Sequence, residues 1–332
     1  MFKAFSHIYI EESILDHFRT KEILNRFPNA IPIPIRHYKD SFNRNSQNFR
    51  IQKESPKLIL AEKKDQFLYK GSDFSPNFSH PHFYYNTLAL NCIYDCEYCY
   101  LQGMFPSANL VLFVNWEDFF SATKEFLDKN QSLYLALSYD TDLLALESFF
   151  PATKAWLEFA TTEPNLSLEI RTKSTNYSQI ARHTPNPNVI LAWTLSPKEV
   201  IETIEHGTPS LQARLKAINQ AITDGWKVRI CIDPILRVPN WQTHYQSLAE
   251  KLGKELKMEG ILDISIGGFR MNIDFLKRMV DVRKDSSILF HPFEKKDKIV
   301  SYSKQETEEI LNLMSKTLQK YFLSSQIKVS YS

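Results

Sequence analysis

From residue 82 onward, short apolar runs rich in β-branched and aromatic residues alternate with amphipathic runs of helical length. In residues 210–224, for example, Leu211, Leu215 and Ile218 recur at the spacing that places side chains on one face of a helix. Strands that alternate with helices lie parallel and are joined by right-handed crossovers. The pattern predicts an α/β fold in which about six units form a partial (β/α)6 barrel. The predicted barrel strands cover residues 83–90, 110–114, 133–139, 166–172, 189–195, 227–232 and 261–267.

The chain before this run is less regular. Residues 1–80 mix strand and helix patterns, and the polar residues 40–56 within them are predicted to form a surface loop. We treat this region as an N-terminal α/β extension of a barrel at residues 81–282. The elements predicted in it are strands at residues 5–10, 30–35 and 57–61 and a helix at residues 11–27.

The end of the chain also leaves the alternation. Ser303, followed three positions later by Glu306, forms the capping-box pattern that begins helices. Residues 326–331 are β-rich and predict a final strand. Residues 283–332 are therefore predicted to be a C-terminal α+β segment.

Composition places the protein among ordinary globular chains. It has 332 residues, of which 43% are hydrophobic, and a net charge of +2, so the overall charge does not indicate a partner. No run approaches the roughly 20 apolar residues that a membrane helix needs, and the N-terminus lacks the apolar centre of a signal peptide. We therefore expect a cytoplasmic protein without a membrane partner, and nothing in the sequence requires more than a monomer.

Three of the four cysteines lie within eight positions. Cys92, Cys96 and Cys99 have the spacing C-x3-C-x2-C directly after a predicted strand. Cysteine clusters in cytosolic proteins more often bind metal or carry out redox chemistry than form disulfides. Three thiolates can hold three irons of a [4Fe-4S] cubane and leave the fourth iron open. The amino and carboxylate groups of S-adenosylmethionine suit that open iron, and one electron from the cluster would break a carbon–sulfur bond and leave a 5′-deoxyadenosyl radical. The loop therefore predicts a [4Fe-4S] cluster and S-adenosylmethionine as cofactors.

A structural zinc site is the main alternative for this loop. His80 or His82 could complete a Cys3His set. Zinc loops usually carry paired C-x2-C knuckles, whereas this chain has one, so the spacing favours the iron–sulfur cluster. The chain has only 8 glycines and no glycine-rich phosphate motif, which disfavours dinucleotide and ATP binding.

Several segments along nearly the whole chain are similar to those of one family. On these segments the chain resembles the spore photoproduct lyase family of radical S-adenosylmethionine enzymes. The segments are HIYIEE at residues 7–12, CEYCYLQ at residues 96–102, YDTD at residues 139–142, RTK at residues 171–173 and EHGTPSLQARL at residues 205–215.

The resemblance implies a carbon–carbon lyase that repairs DNA. Its substrate would be the ultraviolet lesion 5-thyminyl-5,6-dihydrothymine, which the family converts to two thymines. The adenosyl radical would take a hydrogen from C6 of the lesion, the bridging bond would break, the product radical would be quenched and the cofactor regenerated. The expected partners are damaged DNA and a one-electron reductant of the flavodoxin or ferredoxin type.

The resemblance also assigns roles to individual residues. Tyr98 matches an aromatic residue beside the cofactor, and Tyr100 matches a tyrosine that relays hydrogen. Lys173 matches a lysine that contacts the cofactor's carboxylate. Thr141 and Thr194 stand where the family has cofactor-binding serines, and both keep the hydroxyl group that such a contact needs.

Acidic residues at the ends of predicted strands suggest further cofactor contacts. Asp140, Asp142 and Asp233 occupy such positions. The carboxyl ends of the strands face the active site in a parallel α/β barrel. The ribose hydroxyls of the cofactor need acceptors there, and we expect Asp142 to be one of them.

One position departs from the family pattern. Tyr139, in the run Y-D-T-D, stands where the family has a hydrogen-donating cysteine in C-T-S-D. Three interpretations remain open: Tyr139 and Tyr100 replace the thiol as a hydrogen relay, Cys231 serves instead, or the substrate is different. A non-catalytic DNA-binding relative that kept its cluster is a further alternative, although Lys173 and the two threonine hydroxyls argue against it.

Basic residues near the C-terminus suggest how DNA would be bound. Residues 270–304 contain nine basic and five acidic side chains, a local charge of +4. Phe290, Phe293 and Tyr302 are interleaved, which suits stacking on unpaired bases. The family resemblance places a DNA-entering hairpin here. A weaker basic patch consists of Arg36, Lys39, Arg44, Arg50 and Lys53.

Overall fold

The computed structural model describes residues 5–71, 78 and 80–330. Its α-helices are α1 (Phe18–Arg26), α2 (Tyr38–Phe42), α3 (Phe49–Glu54), α4 (Leu101–Met104), α5 (Trp116–Asn130), α6 (Leu143–Leu146), α7 (Ala152–Thr162), α8 (Lys198–Thr203), α9 (Leu211–Thr223), α10 (Trp241–Glu255), α11 (Ile273–Val282) and α12 (Lys304–Leu318). Short 3-10 helices cover Glu12–Ile14, Asn176–Gln179, Met258–Gly260, Ser287–Phe290 and Ser324–Gln326.

The strands form two large and two small sheets. They are β1 (His7–Glu11), β2 (Ile31–Ile35), β3 (Leu58–Ala61), β4 (Tyr69–Lys70), β5 (Phe83–Tyr85), β6 (Ala89–Leu90), β7 (Asp95–Cys96), β8 (Leu110–Phe113), β9 (Leu133–Ala136), β10 (Leu166–Thr172), β11 (Val189–Thr194), β12 (Glu205–His206), β13 (Lys227–Ile235), β14 (Ile261–Gly268), β15 (Arg270–Asn272), β16 (Glu294–Lys296), β17 (Ile299–Ser301) and β18 (Ile327–Ser330).

The larger sheet is the partial barrel. Its strand order is β18-β14-β13-β11-β10-β9-β5-β4, and every neighbouring pair is parallel except β4 with β5. Six of the seven predicted barrel strands have a counterpart here, namely β5, β9, β10, β11, β13 and β14, and β18 extends the sheet by one. The predicted strand at residues 83–90 is divided, because only β5 lies in this sheet and β6 pairs in the other. All six residues of β11 are buried, as expected for a parallel strand covered on both faces. The prediction of a partial (β/α)6 barrel is confirmed.

The second sheet has the order β2-β1-β3-β8-β6 and belongs mainly to the N-terminal region. β8 pairs in parallel with β3 and antiparallel with β6, so the prediction that residues 110–114 form a barrel strand is wrong. A short, fully buried apolar strand has the same sequence pattern in either sheet. The sequence therefore does not indicate which sheet such a strand joins. Because β6 ends at Leu90 and β8 begins at Leu110, this sheet holds both ends of the cysteine-bearing segment.

Residues 40–56 contain the end of α2 and all of α3 rather than only a surface loop. The side chains of His37 and Asn48 accept hydrogen bonds at the starts of these helices. Phe42 and Phe49 are buried and anchor one helix each to the core. The surrounding polar sequence hides these two anchors, which explains why the pattern predicts a loop.

The C-terminal segment agrees with its sequence pattern. Ser303 and Glu306 form the predicted capping box, in which the Ser303 hydroxyl accepts from the Glu306 amide at 3.2 Å. The final strand is β18, and Tyr331, part of the predicted strand, lies outside the described residues. Within the described ranges, no helix combines the length and apolar character needed to cross a membrane.

Candidate active site at the cysteine loop

All ten residues predicted to form the site line one cleft of about 740 Å³. The cleft lies at the carboxyl ends of the barrel strands, where parallel α/β barrels carry their functional residues. Residues 60 or more positions apart in sequence therefore face the same space. The ten residues are Cys92, Cys96, Tyr98, Cys99, Tyr100, Tyr139, Thr141, Asp142, Lys173 and Thr194.

The cysteine loop begins with a sharp turn at Asn91. This residue has a φ of 67°, in the left-handed region that asparagine tolerates better than most residues. Its buried amide group donates to the carbonyl oxygens of Ser107 at 2.7 Å and Asn109 at 2.8 Å. Lys53, on α3, donates to the carbonyl oxygens of Cys92 and Tyr94. Contacts within the protein therefore hold the base of the loop in place without a cofactor.

The second half of the loop is braced by distant parts of the chain. β7, which contains Cys96, pairs antiparallel with β12. Gln102 donates to the Cys96 carbonyl at 2.8 Å, and the Cys99 amide donates to the same oxygen at 3.0 Å. The buried guanidinium of Arg283 donates to the side chains of both Gln102 and Asp95. The sequence predicted that Arg283, as one of the nine basic residues of 270–304, would bind DNA; because its side chain is buried and ion-paired with Asp95, it braces the cysteine loop instead.

A fully buried ion pair lies behind the cysteine loop. The side chains of Glu205 and Arg214 are 0% exposed, and their charged atoms are 2.6 Å apart. Glu205 also accepts from the hydroxyls of Tyr98 and Ser196, and Arg214 donates to the Thr194 carbonyl at 3.0 Å. The EHGTPSLQARL segment therefore connects β12, β11 and the cysteine loop through buried charge.

Lys173 places a positive charge at the edge of this network. Its ammonium lies 4.0 Å from the Glu205 carboxylate and 5.3 Å from the centre of the Tyr98 ring. Burial opposes the charge, but Cys96 and Glu205 outweigh it and raise the pKa of Lys173 above its ordinary value. Burial likewise opposes the charge on Glu205, while Lys173 and Arg214 lower its pKa. Lys173 is thus a cation facing the cleft, as contact with a ligand's carboxylate requires.

Thr141 and Asp142 differ in what their side chains already bind. The Thr141 hydroxyl is buried and has no hydrogen-bond partner among the described residues. Asp142 accepts from the Thr172 hydroxyl at 2.7 Å, the Lys173 amide at 2.6 Å and the Ala145 amide at 3.1 Å. Buried polar groups rarely remain unsatisfied, so the Thr141 hydroxyl is suited to a ligand, whereas Asp142 holds Lys173 and the start of α6 in place.

The donor set of the loop fits a cubane cluster. Cys96 is buried, while Cys92 and Cys99 are partly exposed toward the cleft. Burial raises the pKa of the Cys92 thiol to about 11, so the free thiol is a weak acid and iron would have to displace its proton. Three thiolates of a cubane bind three different irons and need not meet at one point.

The zinc alternative requires ligands that converge on one ion. In residues 5–71, 78 and 80–330 there is no group of three or more His, Cys, Asp or Glu side chains placed to hold a single metal ion. His80 packs against the rings of His82 and Tyr134, at 6.5 and 5.9 Å between centroids. The cluster interpretation therefore fits the cysteine loop better than Cys3His zinc does.

The two candidate hydrogen-transfer tyrosines lie side by side. The ring centroids of Tyr100 and Tyr139 are 6.5 Å apart, and the Tyr100 hydroxyl donates to the Asp140 carboxylate at 3.0 Å. Burial raises the pKa of Tyr100 well above its ordinary value, so it remains a neutral phenol with a hydrogen to give. Cys231 is fully buried in β13 and does not line the cleft.

The basic C-terminal region reaches the mouth of the cleft. β16 and β17 form a hairpin that carries Lys295, Lys296 and Lys298, all exposed. Lys298 and its neighbour Ile299 line the cleft. The predicted DNA-facing hairpin is thus adjacent to the cleft that the predicted site residues line.

Comparisons with known proteins agree with this arrangement. A family model described as "Spore photoproduct lyase" matches residues 4–331. The spore photoproduct lyase of Clostridium acetobutylicum is 21% identical over 346 residues, covering 99% of both chains. That of Geobacillus sp. strain Y412MC61 is 24% identical over 181 residues, covering 54% of this chain and 53% of the relative, so this alignment spans about half of each protein.

Solved structures show the same fold. A spore photoproduct lyase complexed with dinucleoside spore photoproduct has a TM-score of 0.83 and 18% identity, with 99% of both chains covered. A mutant with bound AdoMet and dinucleoside spore photoproduct has a TM-score of 0.84 and 16% identity, covering 100% of this chain and 99% of the other. At these identities the likeness establishes the fold.

Proposed function

Because this chain belongs to the spore photoproduct lyase family, we propose that it reverses the DNA lesion 5-thyminyl-5,6-dihydrothymine to two thymines as a radical carbon–carbon lyase. The observation that carries the proposal is the convergence of the ten predicted residues on one cleft. The binding of spore photoproduct by a solved relative of the same fold supports the substrate class.

The cysteine loop is suited to a [4Fe-4S] cluster, with Cys92, Cys96 and Cys99 as its ligands. S-adenosylmethionine would occupy the cleft beside it, as AdoMet does in a solved relative. When both are bound and the cluster is reduced, they supply a carbon radical that removes hydrogen from the substrate. A one-electron reductant of the flavodoxin or ferredoxin type would provide the electron.

The protein's own side chains would bind and orient the cofactor. Lys173 offers a cation to its carboxylate, and Thr141 offers a hydroxyl that no described residue binds. Thr194 adds a second hydroxyl at the end of β11, and the Tyr98 ring packs beside Lys173. Because the Asp142 carboxylate already accepts three hydrogen bonds, we assign it to holding Lys173 rather than to direct contact with the ribose.

After the bridging bond breaks, Tyr139 would donate hydrogen to the product radical. Its ring lines the cleft where the substrate would lie, and Tyr100 lies next to it. The buried position of Cys231 disfavours the thiol alternative. The hairpin with Lys295 and Lys296 would guide the DNA backbone to the cleft.

A direct test uses anaerobically reconstituted protein with dithionite and S-adenosylmethionine. We expect 5′-deoxyadenosine to form and dinucleoside spore photoproduct to be converted to thymine dinucleotide. The replacement of the family's donor cysteine by Tyr139 motivates a second candidate, a radical enzyme acting on another substrate. Formation of 5′-deoxyadenosine without repair of the dinucleotide would favour that candidate, and the absence of both 5′-deoxyadenosine and repair would contradict both.

A further inference from the structure

The cysteine loop lies between the cleft and helix α3. The three predicted cluster cysteines line the cleft, and they also line a crevice of about 10 Å³ together with Phe49 and Lys53 of α3. A space of this size has room for one water molecule at most. The ammonium of Lys53 donates to the Tyr94 carbonyl in the loop at 2.7 Å. Because Arg50 and Ile51 of α3 are exposed, this one short helix separates the predicted cluster ligands from the surface.

The outer surface of α2 and α3 is basic. Residues 36–54 contain five basic and two acidic side chains, a local charge of +3. Arg278, exposed on α11, adds a further cation, since it lines one hollow of the surface together with Lys39. Arg50 is paired with Asp285 at 2.8 Å, so it contributes less to the outward charge than the other cations do. We call this surface the α2–α3 face and define it by the exposed side chains of Arg36, Lys39, Arg44, Arg50, Ile51 and Arg278.

The α2–α3 face also has apolar features. Its hollow of about 480 Å³ is lined by the rings of Phe42 and Phe105 as well as by Lys39 and Arg278. Ile51 is 64% exposed, although isoleucine is among the residues most often buried. Interfaces between proteins combine an apolar centre with a polar rim in which arginine is common. The face therefore has the composition of a docking site for a protein with an acidic surface.

We propose that the α2–α3 face docks an acidic one-electron carrier protein, which reduces the cluster through α3. This docking site would serve the reductant of the proposed function and rests on that function. Electron transfer through protein slows steeply with distance, so the carrier has to bind where little protein covers the cluster. During turnover the nucleoside and the lesion would fill the cleft, whereas the side covered by α3 stays accessible. In the transfer the carrier loses one electron and the cluster gains one, and no bond forms or breaks.

The position of the face favours a protein partner over DNA. Both α2 and α3 are described in full, and none of their residues lines the cleft. Lys298 of the β16–β17 hairpin does line it. A lesion has to enter the cleft for repair, which places the duplex on the hairpin. Phosphate contacts also give no reason for an exposed isoleucine among the cations, whereas a protein interface does.

The test measures binding of a bacterial flavodoxin, with its FMN bound, to the reconstituted full-length protein by isothermal titration calorimetry. We expect the dissociation constant to rise with salt, because salt screens exposed charges. The double variant Lys39→Gln/Arg44→Gln should raise the constant roughly tenfold, since it removes two exposed charge contacts. It should also slow reduction of the cluster by pre-reduced flavodoxin at low flavodoxin concentration, followed by stopped-flow absorbance.

Lys124→Gln/Lys129→Gln is the matched control for charge. It removes two exposed lysines from α5, near the amino end of β9, whereas the cleft lies at the carboxyl ends of the barrel strands. Affinity for flavodoxin and the rate of cluster reduction should both stay at the wild-type values. Ile51→Ser should also weaken flavodoxin binding, whereas Leu323→Ser, at a position 70% exposed after α12, should not.

Two further measurements separate this docking site from DNA binding and from the repair reaction. With dithionite as reductant, the Lys39→Gln/Arg44→Gln variant should repair the dinucleotide at the wild-type rate, and it should bind lesion-containing duplex as the wild type does. Absence of flavodoxin binding by the wild type, or equal losses of affinity in the two double variants, would overturn the docking site. A loss of duplex affinity as large as the loss of flavodoxin affinity would assign the face to DNA and overturn it as well. Failure of the wild type to repair the dinucleotide with dithionite would instead contradict the proposed function, whatever the affinity for flavodoxin.

Discussion

At the scale of single residues, the site depends on charges that are buried together. Glu205 and Arg214 are both completely inaccessible, and Lys173 lies within 4.0 Å of the same carboxylate. Two positive groups around one carboxylate leave a surplus positive charge facing the cleft. That surplus is what an anionic ligand group would neutralise.

Glu205→Gln should destabilise the folded protein strongly. The change leaves the Arg214 charge buried without its partner, which typically costs about 3–5 kcal/mol. The free energy of unfolding, measured by urea titration, should fall by that amount. Glu97→Gln is the control, since it alters only a hydrogen bond with the half-exposed His206 and should cost only about 0–1 kcal/mol. Equal losses of unfolding free energy in the two variants would show that the buried pair stabilises the protein no more than the half-exposed contact does.

Lys173→Met should weaken binding of S-adenosylmethionine without unfolding the protein. A hydrogen bond to a charged group contributes about 1.5–3 kcal/mol, so the dissociation constant should rise by roughly one to two orders of magnitude. Equilibrium dialysis on cluster-reconstituted protein measures this directly. Lys198→Met, at a position 79% exposed on α8, should leave the affinity unchanged. An unchanged affinity in Lys173→Met would remove this lysine from the cofactor site.

At the scale of elements, buried side chains replace the backbone partners that helix ends lack. Glu147, which follows α6, accepts from the amides of Thr153 at 3.0 Å and Lys154 at 2.9 Å in the first turn of α7. Its buried side chain therefore joins the end of α6 to the start of α7. Burial raises the pKa of Glu147 to about 7.

This shift predicts a pH-dependent stability. The folded state keeps the Glu147 proton up to about pH 7, whereas the unfolded chain releases it near the ordinary value of 4.5. The folded state therefore binds more protons in this window, and stability falls as pH rises through it, by on the order of 3 kcal/mol. Glu147→Gln should remove this component from the unfolding free energy measured between pH 5 and 8. Glu158→Gln, exposed on α7, should retain it; an identical pH slope in all three proteins would refute the assignment.

The β16–β17 hairpin should contribute to DNA binding through its lysine charges. Replacing Lys295 and Lys296 by Gln should lower the slope of log affinity against log salt by about 0.9 for each phosphate that the hairpin then leaves unneutralised. Fluorescence anisotropy with lesion-containing duplex measures the slope. Lys129→Gln, 68% exposed at the end of α5 and outside the basic segments, is the control. Repair of the free dinucleotide should remain near the wild-type rate; if it fell as far as duplex binding, the hairpin would act on the chemistry instead.

Sequence patterns predicted which segments form helices and strands better than they predicted which distant segments contact one another. The helical spacing in residues 210–224 and the capping box at Ser303 describe local properties of the chain, and the structure has α9 and α12 there. The pairing of β8 with β3 and the brace from Arg283 to Asp95 join residues 52 or more positions apart. No local pattern encodes such contacts, so they could not be anticipated from one sequence.

At the scale of the whole molecule, the two large sheets share one core. Ile8 of β1, Leu112 of β8 and Ile230 of β13 belong to the same cluster of buried side chains. The sheet that contains β1 also holds both ends of the cysteine loop. The division of the chain at residue 80 remains a prediction, and the shared core argues against independent folding of the two parts.

A chain beginning at residue 81 should therefore not fold. It would lose β1, β2 and β3 and leave the fully buried β8 without its parallel partner. We expect insoluble protein, or soluble protein without a cooperative thermal transition in circular dichroism. The full-length chain should show one transition. A truncated protein that melts cooperatively would establish residues 81–332 as a separate domain.

The short pairing of β7 with β12 has a consequence for how metal is retained. It ties the backbone of Cys96 to Glu205, whose carboxylate lies 4.0 Å from the Lys173 ammonium. Lys173 is the residue that we propose contacts S-adenosylmethionine. Occupancy of either site then biases the geometry of the other, and such coupling must act equally in both directions. A saturating concentration of S-adenosylmethionine should raise the affinity for iron, measured at equilibrium in competition with a chelator. Demetallated protein should bind S-adenosylmethionine more weakly by the same factor.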